Sequence, residues 1–197
     1  MKDIWNSRYS DPEFIYGIEP NAYLKNFLEN SIKGNILLPA DGEGRNSVFA
    51  AKIGWQVDAF DYSESAQDKA FLLAQKNDVS INYAVSDILE FKPSKNYDLI
   101  AIIYLHLIPE IRSVFFQRIG SWLKPGGHII LEAFSKNQLK NSSGGPKDIN
   151  LLYDLEEIKD DFHHLKIKEL RETEIILNEG LLHQGKANVI RLIAQKD

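Results

Sequence analysis

The chain has 197 residues, 44% of them hydrophobic and 26% charged, the balance of a globular domain with room for one sizeable core. A formal net charge of -5 gives no general attraction to nucleic acid, and the longest apolar run, "LIAIIYLHLI", is about half of what a membrane-spanning helix needs. With no cysteine there is no disulfide, no thiolate metal site and no cysteine nucleophile. The opening "MKDIWNSRYSD" lacks the apolar core of a secretory signal. The expectation is a cytoplasmic protein that handles a small molecule, with no metal, nucleic-acid or membrane partner and an oligomeric state the sequence leaves open.

Residues 1–30 are rich in aromatic and cationic side chains and read as an N-terminal lid or helical segment. "NILLPA" is a buried strand, and residues 45–53 form a helix directly after it. "WQVDAFDY" is a second strand with an acid at its end, and residues 63–77 have helical spacing with Ser63 as the start signal. "INYAVSD" is a third strand, again ending in an acid. "YDLIAIIYLHL" is a fourth, too continuously apolar to have an exposed face. Residues 109–122 are helical, and "KPGG" turns into "HIILEAF", a fifth strand. Residues 136–152 are polar and rich in Ser, Asn and Gly, which predicts a flexible loop. A short acidic helix, "DLEEIKDDF", precedes two long extended stretches joined through "NEG", an antiparallel hairpin. No linker divides the chain, so residues 1–197 read as a single α/β domain: a Rossmann-like, doubly wound, mostly parallel seven-stranded sheet ending in an antiparallel hairpin.

In such a sheet ligands sit beyond the carboxyl ends of the strands. Asp41-Gly42-Glu43-Gly44, Asp61 and Asp87 all fall at those ends. Two glycines between a buried strand and a helix let a ligand approach bare backbone at the positive end of a helix. Asp61 comes nineteen residues after Gly42, the distance at which an acid accepts both ribose hydroxyls of a nucleoside. Asp87 is placed to accept from an adenine amino group or, equally, to cap a turn. These features suit either NAD or S-adenosylmethionine. Against NAD, the third glycine of the dinucleotide turn is absent, and no Tyr-x-x-x-Lys pair occurs.

Taken together, "LLPADGEGRN", "VDAFDYS", "AVSDI", "YDLIAIIYLH" and "LKPGGHIILEAF" resemble, in order and spacing, the motifs of the class I S-adenosylmethionine-dependent methyltransferases. The opening "WNSRYSDPEFIYGIEPN" is similar to the lid of the small tellurite-resistance and thiopurine type. The resemblance implies a cofactor site of Tyr9, Tyr16, Ala40, Asp41, Gly42, Gly44, Arg45, Asn46, Asp61, Tyr62, Ser63, Asp87, Ile88 and Tyr104. The chain departs from the family at Leu38, where an acid ordinarily helps hold the methionine ammonium group. Asp41 is then the carboxylate that takes over that charge. Arg45 reads as a contact to the lid or the cofactor carboxylate, or as a surface ion pair.

His106 follows the fourth strand, where the resemblance places methyl transfer, and is the candidate general base. Arg8, His183 and Arg191 are candidate substrate residues, with an anionic acceptor as one partner for Arg191. Without an Asn/Asp-Pro-Pro-Tyr motif or a cysteine, a small acceptor such as a thiol or a chalcogen oxyanion is expected rather than a nucleic acid base. The rival readings are a non-catalytic S-adenosylmethionine-binding protein and an NAD-dependent reductase.

Overall fold

A computed structural model describes the backbone of residues 2–197 and the side chains from Trp5 onward. Seven strands form a sheet in the order β3-β2-β1-β4-β5-β7-β6. They are β1 (Asn35–Pro39), β2 (Gln56–Asp61), β3 (Asn82–Val85), β4 (Tyr97–Ile103), β5 (Leu123–Phe134), β6 (Lys166–Glu179) and β7 (His183–Gln195). The helices are α1 (Lys2–Tyr9), α2 (Ala22–Glu29), α3 (Arg45–Lys52), α4 (Glu64–Lys76), α5 (Pro109–Gly120) and α6 (Leu155–Asp161). The chain packs as two compact units: residues 1–92 with 179–182, and residues 93–178 with 183–197.

In the first unit β1 and β2 are parallel with Pro39 opposite Phe60, and β2 and β3 are parallel with Asp61 opposite Val85. This register brings the turn after β1, the acid ending β2 and the turn after β3 to one edge. The strands are buried because their residues are: Ile36, Leu37, Leu38 and Phe60 are all at most 1% exposed. Helix α4 begins where the Ser63 hydroxyl accepts from the Ala66 amide, as its sequence signal indicates. The N-terminal segment folds as α1 and α2, and Asn21 caps α2 by accepting from Leu24.

In the second unit β4 and β5 are parallel, and β5 and β7 antiparallel. The register steps from Tyr97 opposite Leu123 to Leu99 opposite His128, so "KPGG" bulges out of β5. Residues 136–152, expected as a flexible loop, contain two 3-10 turns, Lys136–Lys140 and Ile149–Leu151. Buried Gln138 donates to Ser143 Oγ and the Gly144 carbonyl, both at 3.0 Å, and accepts from the Asn188 amide at 2.9 Å. Gln138 and Ser143 thus turn inward, while residues 147–150 are exposed.

Gly44 has φ +85°, and a Cβ there would lie 2.6 Å from Ala70 Cβ on α4. Gly44→Ala combines left-handed strain with overpacking, each costing about 1–3 kcal/mol. We expect a loss of at least ~2 kcal/mol in urea unfolding, and a variant within 0.5 kcal/mol of wild type would contradict this packing.

Candidate functional site

The site in the first unit is built where β1 and β2 end. Ala40 (φ 52°), Gly42 (φ 58°) and Gly44 (φ 85°) are all left-handed, which makes the turn tight. The Gly42 amide donates to Asp61 Oδ2 at 3.2 Å, and the Tyr83 hydroxyl donates to the Gly42 carbonyl at 2.6 Å. Asp61 Oδ1 accepts from the Ser63 amide at 3.0 Å. Burial pushes Asp61 up to about 6, against backbone N–H groups of Ser63, Gly42 and Tyr62 that favour its charged form. Tyr62 is pushed up to about 12 by burial, then by the charges of Asp61 and Asp87. The Ser63 hydroxyl also donates to Asn6 Oδ1 at 2.6 Å, which ties α1 to the turn after β2.

The glycines do less for a ligand than the sequence implied. The space a Gly44 side chain would need belongs to Ala70, and a Cβ on Gly42 would lie 2.8 Å from the Tyr9 hydroxyl. Both therefore permit close packing of protein on protein. Asp41 Oδ2 accepts from the Ser47 amide at 3.2 Å and so caps the first turn of α3. Burial pushes the Asp41 carboxyl up to about 7, opposed by hydrogen bonds from Ser47 and Asn46. Its capping role is the turn-residue alternative to holding an ammonium group.

Glu43, Arg45 and Asn46 reach the N-terminal segment instead of open space. Arg45 is 6% exposed, donates to the carbonyls of Tyr16 and Glu19, and pairs with Glu179 at 2.9 Å. It is thus the lid contact and a buried pair, not a surface one. Asn46 Oδ1 accepts from the Asn21 amide at 2.9 Å. Arg8, a candidate substrate residue, donates to the Tyr16 hydroxyl at 3.0 Å and lies 4.5 Å over the Trp5 ring. Tyr9 is buried, and burial raises its pKa further than the neighbouring charges do. Asp87 is exposed and accepts from the Leu89 amide at 2.8 Å, so it caps its turn; Ile88 beside it is half-buried.

The second unit holds Tyr104, His106, His183 and Arg191. Tyr104 is left-handed (φ 53°) and donates its hydroxyl to Glu132 Oε1 at 2.9 Å. Arg191 Nε donates to Glu132 Oε2 at 2.6 Å, across the β5–β7 register pair. The anionic partner foreseen for Arg191 is therefore a carboxylate of the chain itself. Glu132 is 1% exposed, and a charge that deep needs both contacts. His183 is buried edge-on to Tyr104 and Phe134, with ring centroids 4.8 and 5.4 Å away. His106, the candidate general base, is engaged by backbone at both ring nitrogens. Its Nδ1 meets the Leu151 carbonyl at 2.7 Å and its Nε2 accepts from the Phe134 amide at 3.4 Å. The carbonyl requires a proton on Nδ1, so the only lone pair faces Phe134. Burial lowers its pKa to about 4, leaving the ring neutral at ordinary pH. Neither nitrogen is offered to an acceptor in this arrangement.

Sequence reasoning passed over Glu43, Lys69, Glu179 and Glu132. Glu43 was detectable as a carboxylate between two glycines of a buried turn; the others have no local signal. Among the described residues, no cluster of His, Asp and Glu is arranged to hold a metal.

Residues 36–127 match the family model described as a methyltransferase domain. A ubiquinone biosynthesis O-methyltransferase of Rickettsia typhi is 31% identical over 99 residues, 49% of this chain and 39% of that protein. The match thus spans about two fifths of the curated relative. Among solved structures, one from work on the conversion of a disulfide bond into a thioacetal group in echinomycin biosynthesis superposes with TM-score 0.84 at 14% identity, covering 100% of this chain and 92% of that one. TehB from Haemophilus influenzae gives 0.75 at 18% identity (100% and 67% covered). The N-methyltransferase NodS from Bradyrhizobium japonicum WM9, in complex with S-adenosyl-L-homocysteine, gives 0.73 at 13% (99% and 97%). At these identities the likeness is one of fold: a seven-stranded mixed sheet of the methyltransferase type.

The raised carboxyl of Asp41 has a measurable consequence. Its folded pKa of about 7 lies above the unfolded value of 3.8, so the folded state binds the extra proton between them. Its contribution to stability is greatest below pH 4 and is lost as pH rises towards 7. Melting temperatures of wild type minus Asp41→Asn are expected to rise as pH is lowered from 7.5 to 4.5. A flat difference would show that the carboxyl is not raised.

Proposed function

We propose that the chain is an S-adenosylmethionine-dependent methyltransferase acting on a small-molecule acceptor. The single observation that carries this reading is Asp61. It is a buried carboxylate at the end of β2, hydrogen-bonded to the amide of the glycine turn after β1. An acid so placed accepts ribose hydroxyls, and Tyr62, Ser63, Asp87 and Ile88 complete the nucleoside side. The methyltransferase-domain match spans this stretch. The residues present fit the cofactor: the Asp61 carboxyl suits its ribose, and the Trp5 ring lies 5.3 Å from that of Tyr9 and 6.5 Å from that of Tyr16, aromatic faces of the kind that attract a sulfonium.

The bound cofactor supplies an activated methyl group; the protein's task is to align the acceptor and exclude water. Because both His106 nitrogens are engaged by backbone, we place no general base there. That favours acceptors that arrive as nucleophiles, thiolates or reduced chalcogens. His183 is the residue we assign to the acceptor and Tyr104 stays with the cofactor set, while Arg191 is paired with Glu132. The finer placement among tellurite-resistance and thiopurine methyltransferases rests on the N-terminal segment. The relatives differ in their acceptors, so they select none here. The same absence of a base also favours a second reading, a protein that binds the cofactor without turnover.

The test is methyl transfer from labelled S-adenosylmethionine over thiols, selenite, tellurite, halides and phenols. S-adenosylhomocysteine should form with soft acceptors. Across a thiol series the pH midpoint of kcat/KM should follow each thiol's own ionisation. One midpoint common to all thiols would mean a protein base, and binding without turnover on any acceptor would leave the sensor reading.

A further inference from the structure

We propose that Glu43 and Arg45, the side chains that alternate with the glycines of the turn, are positioning residues. They hold residues 13–21 as a strap on the turn and thereby set Tyr9 and Tyr16 for the bound cofactor. The inference rests on the S-adenosylmethionine reading above.

Glu43 is 4% exposed and accepts from the amides of Ile15 and Tyr16 at 3.3 and 3.4 Å. Lys69 on α4 pairs with it at 2.6 Å and also donates to the Glu13 carbonyl. Arg45 holds the carbonyls of Tyr16 and Glu19, and Asn46 the amide of Asn21. Apart from the Lys69–Glu43 pair, each of these contacts is to strap backbone, so they fix the path of the chain whatever its side chains. The β6–β7 tip grips the same strap. Glu179 pairs with Arg45 and accepts from Asn21 Nδ2, and the Leu181 amide donates to the Ile15 carbonyl at 2.9 Å. Gly180 lies so close that a Cβ would come within 2.4 Å of the Gly17 nitrogen.

What the strap carries bears on the cofactor turn. Tyr16 supplies one of the two amides on Glu43, and its hydroxyl accepts from Arg8. Tyr9, one end of the short connection to the strap, sits against Gly42. A buried ion pair is a poor way to gain stability, since apolar side chains of similar volume do as well or better. Two amides converging on one carboxylate do, however, specify a single path for the strap.

The experiment compares Glu43→Gln, Lys69→Met and the double variant by melting temperature, calorimetric titration with S-adenosylhomocysteine, and hydrogen exchange at the Ile15 and Tyr16 amides. Each single variant leaves a buried charge or an empty acceptor and should melt lower. The double variant has no unpaired charge and should recover most of the melting temperature. Its one amide oxygen must still serve two strap amides, so exchange at Ile15 and Tyr16 should stay fast and binding at least tenfold weaker than wild type. Recovery of binding together with melting temperature would reduce the pair to folding support and overturn the inference. If the double variant does not fold, Glu43→Asp keeps the charge for Lys69 but shortens the reach; weakened binding is again expected, and wild-type binding overturns it. Wild-type protein that fails to bind S-adenosylhomocysteine overturns the cofactor reading itself, a result distinct from equal binding by wild type and variant.

Discussion

The hydrogen bond from the Gly42 amide to the Asp61 carboxylate joins the end of β1 to the end of β2, and the first unit is arranged around it. A carboxylate at 4% exposure is costly to keep charged, and its raised pKa records that cost. Backbone N–H groups offset part of it. A ligand offering two hydroxyls would offset more, because hydrogen bonds to a charged acceptor are about twice as strong as neutral ones. The turn after β1 must therefore be narrow, and its narrowness depends on glycines packed against Tyr9 and Ala70 rather than on glycines left open.

β1 and β4 were legible from sequence because buried parallel strands are continuous apolar runs; β2 and β3 showed as extended stretches ending in an acid, and each of the five stretches found is a strand. The hairpin showed in the same way, through two extended stretches around a glycine. Pairings between distant residues were not legible. Glu43 and Lys69 stand 26 positions apart on a turn and a helix, and nothing in either neighbourhood names the other. Glu132 and Arg191 meet only through strand register. Within residues 136–152, the inward bonding of Gln138 to Ser143 was not legible either, because composition does not say which polar side chains of a loop are buried.

The candidate site residues divide along the same line. Residues whose part depends on strand ends, Asp61 and Ser63 above all, stand where their spacing placed them. Residues whose part depends on what the side chain touches, His106, Arg8, Asp41 and Arg191, are engaged by the protein itself. A histidine after a buried strand resembles a base in sequence, but a nearby carbonyl and amide decide its tautomer and leave it neutral.

The central claim is that Asp61 anchors the nucleoside of S-adenosylmethionine, and calorimetric titration of S-adenosylhomocysteine and of NADH into wild type and Asp61→Ala tests it most directly. The account predicts that S-adenosylhomocysteine binds wild type, that NADH does not, and that the variant loses about 1.5–3 kcal/mol, roughly tenfold to a hundredfold, while still folded. Binding of NADH in preference, or equal affinity of a folded Asp61→Ala variant for S-adenosylhomocysteine, would contradict it.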